Sequence, residues 1–196
     1  MTVTAFCQNA GMDPRSVRTQ RSLQQAALDL AVERDLDEIT VGDIAERAGV
    51  NRSSFYQHYS DKETLLADAL DAMVEEAGAN LEAPIEPTEQ PPAGLIGYLQ
   101  HVDEHAALYR WALGSHGSAV VTARLWARVE ALVRHHLAFA GDDSPFEGIP
   151  DDVVAAGVAG SALGAVRVWL GGEPRADVRT AAEWIWRMLL RPGGRA

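Results

Sequence analysis

Apolar residues recur along this chain at helical spacing, and short polar breaks separate the runs. Between Arg15 and Glu33 the residues Leu23, Ala26, Ala27, Leu30 and Ala31 fall at i, i+3, i+4, i+7 and i+8, which makes one stripe on a helix of 3.6 residues per turn. The run stops at Asp35, Asp37 and Glu38. Thr40 and Asp43 then stand at capping-box spacing, with the hydroxyl placed to take a free backbone N–H and the carboxylate placed to reach back to the cap. The helix they open is short: Ile44, Ala45 and Ala48 turn inward and Gly49 ends it. Asn51 caps a second short helix that turns Phe55 inward and ends near Tyr59. Ser60 or Asp61 opens a longer one, with Leu65, Leu66, Ala69, Leu70 and Met73 on its apolar face. Pro84, Pro87, Pro91 and Pro92 make residues 82–94 a loop. Further helices are predicted at about 93–104, 105–114, 117–139, 150–171 and 175–190, with a loop from Gly141 to Pro150 and a sharp break at Gly171-Gly172-Glu173-Pro174. No segment alternates as a strand does. The expectation is an all-α chain of about nine helices.

Composition narrows the chemistry. One cysteine, Cys7, excludes an intrachain disulfide and a thiolate metal cluster, which fits a reducing cytoplasm. Residues 1–13 have neither a basic start nor an apolar core, so no signal peptide is expected there, and they are taken as a flexible arm. The longest run free of charge and proline, Val153 to Val166, suits a buried helix and falls short of a membrane span. The net charge of −11 argues against nucleic acid at first sight. Its distribution changes that. Residues 1–62 hold seven Lys and Arg against nine Asp and Glu, and residues 63–196 hold ten against nineteen. Arg15, Arg18 and Arg21 form a basic stripe with no acid among them, a surface for phosphates or merely a solvated face.

The strongest functional signal lies between Thr40 and Tyr59. Two short helices are joined through Gly49-Val50, a corner that needs a small residue at Ala45 and a positive φ at Gly49. The second helix offers Arg52, Ser53, Tyr56 and Gln57 to its outside, hydrogen-bonding side chains that contribute nothing to a core. The stretch from Thr40 to Val50, followed by Phe55-Tyr56-Gln57-His58-Tyr59 and by Asp61-Lys62-Glu63-Thr64-Leu65-Leu66, resembles the tetracycline-repressor family over about residues 18–70. That resemblance implies a helix-turn-helix DNA-binding domain at 14–60 and a helical ligand-binding and dimerisation domain at 61–196. It also implies roles by position. Arg52, Ser53, Ser54 and Gln57 match positions that approach base edges, while Thr40, Tyr56, His58 and Lys62 match positions that hold phosphates. Independently of the resemblance, Thr40 and Asn51 sit at helix N-termini, which favour an anion, and Arg52 carries the fork that pairs guanine.

All five tryptophans lie behind the helix-turn-helix. Tyr98, His101, His105, Tyr109, Trp111, Trp126 and Trp169 are the candidates for lining a small-molecule pocket between helices; core or interface packing is the alternative for any one of them. His101 and His105 are four apart on one face, but without a thiolate or a suitably spaced carboxylate no metal site is expected, and no cofactor. Gly157, Gly160 and Gly164 put small residues along the helix at 150–170, and Trp184, Ile185 and Met188 put a large apolar surface on the last helix. These are the candidate dimer interface, since the family's last two helices form a four-helix contact. The expected partners are a double-stranded palindromic operator, a second copy of the chain and an apolar or aromatic effector that releases the repressor, with no membrane. An enzyme on an all-helical scaffold is the alternative class, although no nucleophile motif and no phosphate loop is visible. A regulator that activates, or one without a ligand, stays open within the favoured class.

Overall fold

A computed structural model describes residues 13–78, 90–115, 117–140, 146 and 148–190. Among the described residues there are nine helices and no strand: α1 (Pro14–Glu33), α2 (Val41–Arg47), α3 (Arg52–His58), α4 (Lys62–Gly78), α5 (Ala93–Glu104), α6 (Ala106–Leu113), α7 (Ala119–Ala140), α8 (Asp151–Leu170) and α9 (Val178–Leu190). They fall into two compact units, Met1–Ala69 and Leu70–Ala196. The boundary lies inside α4, so one unbroken helix belongs to both. Residues 1–12 of the expected arm at 1–13, Cys7 among them, most of the proline-rich loop and much of the loop from Gly141 lie outside the described residues.

In the first unit the apolar stripe of α1 is the floor of the core. Leu23, Ala26, Ala27, Leu30 and Ala31 are all buried, as the spacing requires. Buried in the same unit are Leu36 and Ile39 from the link, Ile44 and Ala45 from α2, which packs on α1, Phe55 from α3 and Leu65 and Leu66 from α4. Burial of each large side chain contributes about 1.5–3 kcal/mol before entropy is charged against it. Ala48 and Val50 are only half-buried. Asp13 starts α1 by accepting the Arg15 N–H at 3.0 Å, with Pro14 supplying the preset φ of a first helical turn. Asp61, and not Ser60, caps α4: it accepts the Thr64 N–H at 2.7 Å, and the Ser60 hydroxyl donates to it.

In the second unit α8 packs along α7, α6 and α9, and α5 packs on α9. α8 is long and apolar enough to cross a membrane by length and composition alone, more so than its charge-free run implies, because the only acids lie in its first turn. Val154, Ala155, Ala159, Leu163, Val166, Trp169 and Leu170 are buried within the unit and account for 39% of its apolar window. Arg175 pairs with Asp103 at 2.9 Å and Arg124 with Asp71 at 2.9 Å, and the Thr122 hydroxyl donates to the Ala112 carbonyl at 2.7 Å. After α8 the chain breaks at Gly171 and reaches Pro174 through a cis peptide bond.

Candidate nucleic-acid interface and ligand region

The corner between α2 and α3 is built from caps. Thr40 and Asp43 form the full capping box: the Asp43 N–H donates to Thr40 Oγ1 at 3.2 Å, and the Thr40 N–H donates to Asp43 Oδ2 at 2.8 Å. The Thr40 hydroxyl also donates to that carboxylate at 2.7 Å, and these bonds hold the Asp43 carboxyl below its ordinary range. Gly49 turns the chain with φ of +69°. Asn51 then accepts the Ser54 N–H at 2.7 Å and both serine hydroxyls, Ser53 at 2.6 Å and Ser54 at 3.0 Å. The two serines expected to face base edges therefore spend their hydroxyl protons on the cap and keep their oxygens as acceptors.

Beyond the caps, α3 presents a contiguous polar surface. Arg52, Ser53, Tyr56 and Gln57 are exposed, with Tyr56 57% accessible, and Ser54 and His58 are half-buried. Phe55 fixes this orientation because it is fully buried, and its ring meets Tyr56 edge-on at 5.4 Å and Tyr59 at 5.9 Å. The Arg52 guanidinium lies over the first turn of α2, where a Cβ on Gly42 would stand 3.8 Å from its Cζ and Nε. Lys62 is placed differently from its expected role. Its ammonium donates to the carbonyls of Leu36 at 2.7 Å and Ile39 at 2.9 Å. Two of its three protons thus close the α1–α2 link onto α4, leaving one for a phosphate.

A hub that the sequence reading missed lies behind this surface. Asp68 Oδ2 accepts from the Tyr59 hydroxyl at 2.8 Å, Gln20 Nε2 at 2.9 Å and Gln24 Nε2 at 3.0 Å. Gln24 also donates to the Tyr59 oxygen at 3.2 Å. Burial and the adjacent carboxylate push the Tyr59 phenol well above its ordinary value, so it remains a donor. The available signal was an acid at Asp68 three residues after Leu65, at the border of the apolar stripe of α4.

In the second unit, four candidate pocket residues form one cluster. The His101 ring lies 4.7 Å from His105, 5.9 Å from Tyr109 and 6.5 Å from Tyr98. Tyr109 is buried, and desolvation pushes its phenol up. Trp111 is half-buried. Trp126 and Trp169 have structural partners. The Trp126 ring covers Gly160, 3.1 Å from where a Cβ would sit, and the buried Trp169 donates its indole N–H to the Ala176 carbonyl at 2.8 Å. Two of the interface candidates have packing partners within their own unit. Gly160 serves α7–α8 packing because it makes room for Trp126. Ile185 turns inward with Ala181, Ala182 and Trp186, since α9 buries that side against α5 and α8. Gly157 is exposed and Gly164 half-buried, with open space where a Cβ would stand; Trp184 and Met188 are 53% and 41% exposed. Val153 and Val168 add 59% and 66% exposed valines on α8. Among the described residues no group of three or more His, Cys, Asp or Glu is gathered as for a metal ion.

Two short capped helices meeting at a positive-φ glycine, with a polar outer face on the second, define a helix-turn-helix protein. Over residues 23–69 the chain matches the family described as bacterial regulatory proteins, tetR family. It is 46% identical over 56 residues to the HTH-type transcriptional regulator YxbF of Bacillus subtilis, covering 28% of this chain and 15% of YxbF. It is 28% identical over 128 residues to the HTH-type transcriptional regulator EthR of Mycobacterium tuberculosis, covering 58% of this chain and 59% of EthR. The chain thus spans less than two thirds of either relative. The fold is also that of FadR from Thermus thermophilus, a TetR-family transcriptional repressor solved with lauroyl-CoA, at a TM-score of 0.63 and 20% identity over 90% of this chain and 96% of that one.

Proposed function

We propose that this chain is a ligand-responsive, DNA-binding transcriptional regulator acting in the cytoplasm as a homodimer, and that it represses by occupying a near-palindromic operator. The observation that carries this reading is the exposed face of α3: the Arg52 guanidinium, the Tyr56 hydroxyl and the Gln57 amide make no hydrogen bond within the described chain, while every apolar residue that fixes the helix is turned away. A surface of unspent donors on a rigidly capped helix is what major-groove recognition needs. Asn51, Ser53 and Ser54 set the start of that helix, and His58 and the remaining proton of Lys62 are its candidate phosphate contacts; Thr40 gives its N–H and its hydroxyl proton to Asp43 instead.

The dimer reading rests on Val153, Gly157, Gly164, Val168, Trp184 and Met188, apolar or small residues left outward on α8 and α9. A pair of such helices leaves a patch that a second copy would cover. The effector reading rests on the Tyr98–His101–His105–Tyr109 cluster, an aromatic region with polar atoms inside it, and on the lauroyl-CoA held by Thermus FadR. α4 enters both units, which gives a ligand in the second a covalent route to the first. The test is selection of duplexes from a randomised library by the full chain. Enrichment of one two-fold-symmetric sequence, with half-sites about 34–36 Å apart or a multiple of that, is the expected result. Failure to enrich any sequence overturns the reading.

A further inference from the structure

Six arginines are described in the first unit, and they divide sharply. Arg34 lies 3.6 Å from Asp43, and Arg47 grips Glu33 through both nitrogens at 2.8 and 2.6 Å. Arg15, Arg18, Arg21 and Arg52 make no ion pair with any described residue. Arg52 belongs to the reading helix. The other three stand within two turns of α1, in a chain whose net charge is −11.

Their surroundings keep them unpaired. No acid occurs from Pro14 to Leu28's neighbour Ala27, and the two acids of α1, Asp29 and Glu33, are held by Gln25 and Arg47. Residues 1–14 contain no Lys or Arg, so this stripe holds all the cationic charge before Arg34. Arg18 and Arg21 line an open groove with Pro14, Val17, Ser22 and Gln25, on the side of α1 opposite the buried Leu23, Ala27 and Leu30. Two guanidinium forks flanked by a hydroxyl and a primary amide offer several donors to one anion with more than one oxygen. The groove's two arginines can only donate, and its lining includes no carboxylate to repel an anion. It suits a phosphodiester.

We infer that the outer face of α1 is a second DNA contact, in which Arg18 and Arg21 bind the phosphate backbone and Arg15 extends the stripe toward the helix start. This inference rests on the DNA-binding reading above and adds to it. The contact supplies affinity without sequence preference.

The experiment compares wild-type protein with Arg18→Gln, Arg21→Gln, the double variant and Arg52→Ala, on the duplex selected by the wild type and on a scrambled duplex of equal length. Arg179→Gln, an exposed residue of α9, changes net charge by one step as each single variant does. Affinity is measured from about 50 to 200 mM salt, the range over which phosphate contacts are resolved. The expected result is a salt slope shallower by about one unit for each α1 arginine removed, and a loss of roughly tenfold for the double variant, equal on both duplexes. Wild-type affinity and slope in the double variant overturn the inference, as does the same slope change in Arg179→Gln, which would make the effect one of net charge. If Arg52→Ala weakens binding while the α1 variants do not, this inference alone fails. If the wild type binds neither duplex, the DNA-binding reading itself fails.

Discussion

Tyr59, the C-cap of α3, donates its hydroxyl to Asp68 of α4 at 2.8 Å, and the same carboxylate oxygen holds Gln20 and Gln24 of α1. Three helices of the first unit therefore meet at one atom. Hydrogen bonds to an ionised acceptor contribute more than neutral ones, about 1.5–3 kcal/mol each. Tyr59→Phe removes one donor and keeps the buried ring, so it should cost about 1–2 kcal/mol. Asp68→Asn should cost more, about 2–3 kcal/mol, because it removes the charge and can turn an N–H₂ toward three donors. Urea unfolding of the full chain measures both. Combined variants should lose less than the sum of the singles, since they share one acceptor; strict additivity would mean the hub is not a unit.

At Gly49 the cost is purely one of backbone. Its φ is +69° and a Cβ there would meet nothing within 4 Å. Gly49→Ala should therefore destabilise by roughly 1–2 kcal/mol through the left-handed conformation alone. Gly49→Asn should cost less, because asparagine tolerates that region better. Equal losses in the two variants, by thermal melting, would point to a steric cause.

The features that were legible in the sequence are those set within one or two helical turns. The stripe of α1, the Thr40–Asp43 box, the Asn51 cap and the Gly49 corner all follow from neighbours in the chain, and each stands where its spacing puts it. Long-range assignments were not legible. Lys62 reaches carbonyls 26 and 23 positions earlier, and Asp68 reaches Gln20 across 48. No local period reports such contacts. The same holds for the tryptophans: only packing decides that Trp126 covers Gly160 while Trp184 stays outside. Ile185 and Trp184 are adjacent and equally apolar, and composition cannot separate the inner from the outer.

Acid should loosen the helix starts. Asp43 is held below its ordinary value of 3.8 by Thr40, Asp61 by Thr64, and Asp177 by the N–H and hydroxyl of Thr180. For a carboxyl depressed on folding, the folded state binds fewer protons than the unfolded one as pH falls. The stability it contributes is present above the unfolded value, declines below it and is gone once pH has passed through the folded value. The melting temperature should thus be insensitive to these caps above about pH 5 and should fall from roughly pH 4 downward. The triple variant Asp43→Asn, Asp61→Asn, Asp177→Asn should be less stable at neutral pH and show a smaller acid decline. An unchanged acid decline in that variant would assign the acid sensitivity to other carboxylates.

Trp184 and Ile185 give the dimer reading its sharpest check, because one helical step separates opposite outcomes. Trp184 is 53% exposed on α9, on the outward surface that includes Met188, whereas Ile185 is 3% exposed and packed within its own unit. Trp184→Glu puts a charge on the outer face. If a second copy covers that face, the charge is buried unpaired on association, a penalty large enough to leave monomer at micromolar concentration. Its helical circular dichroism should stay near that of the wild type, since nothing inside the unit loses a partner. Ile185→Ala removes buried methyl groups and leaves a cavity, so it should cost about 2–5 kcal/mol of unfolding free energy. It should do so without dissociating the folded protein. Sedimentation velocity reads the first variant and chemical denaturation the second. A dimeric Trp184→Glu would move the interface off α9, to be sought first at Val153 and Val168 of α8.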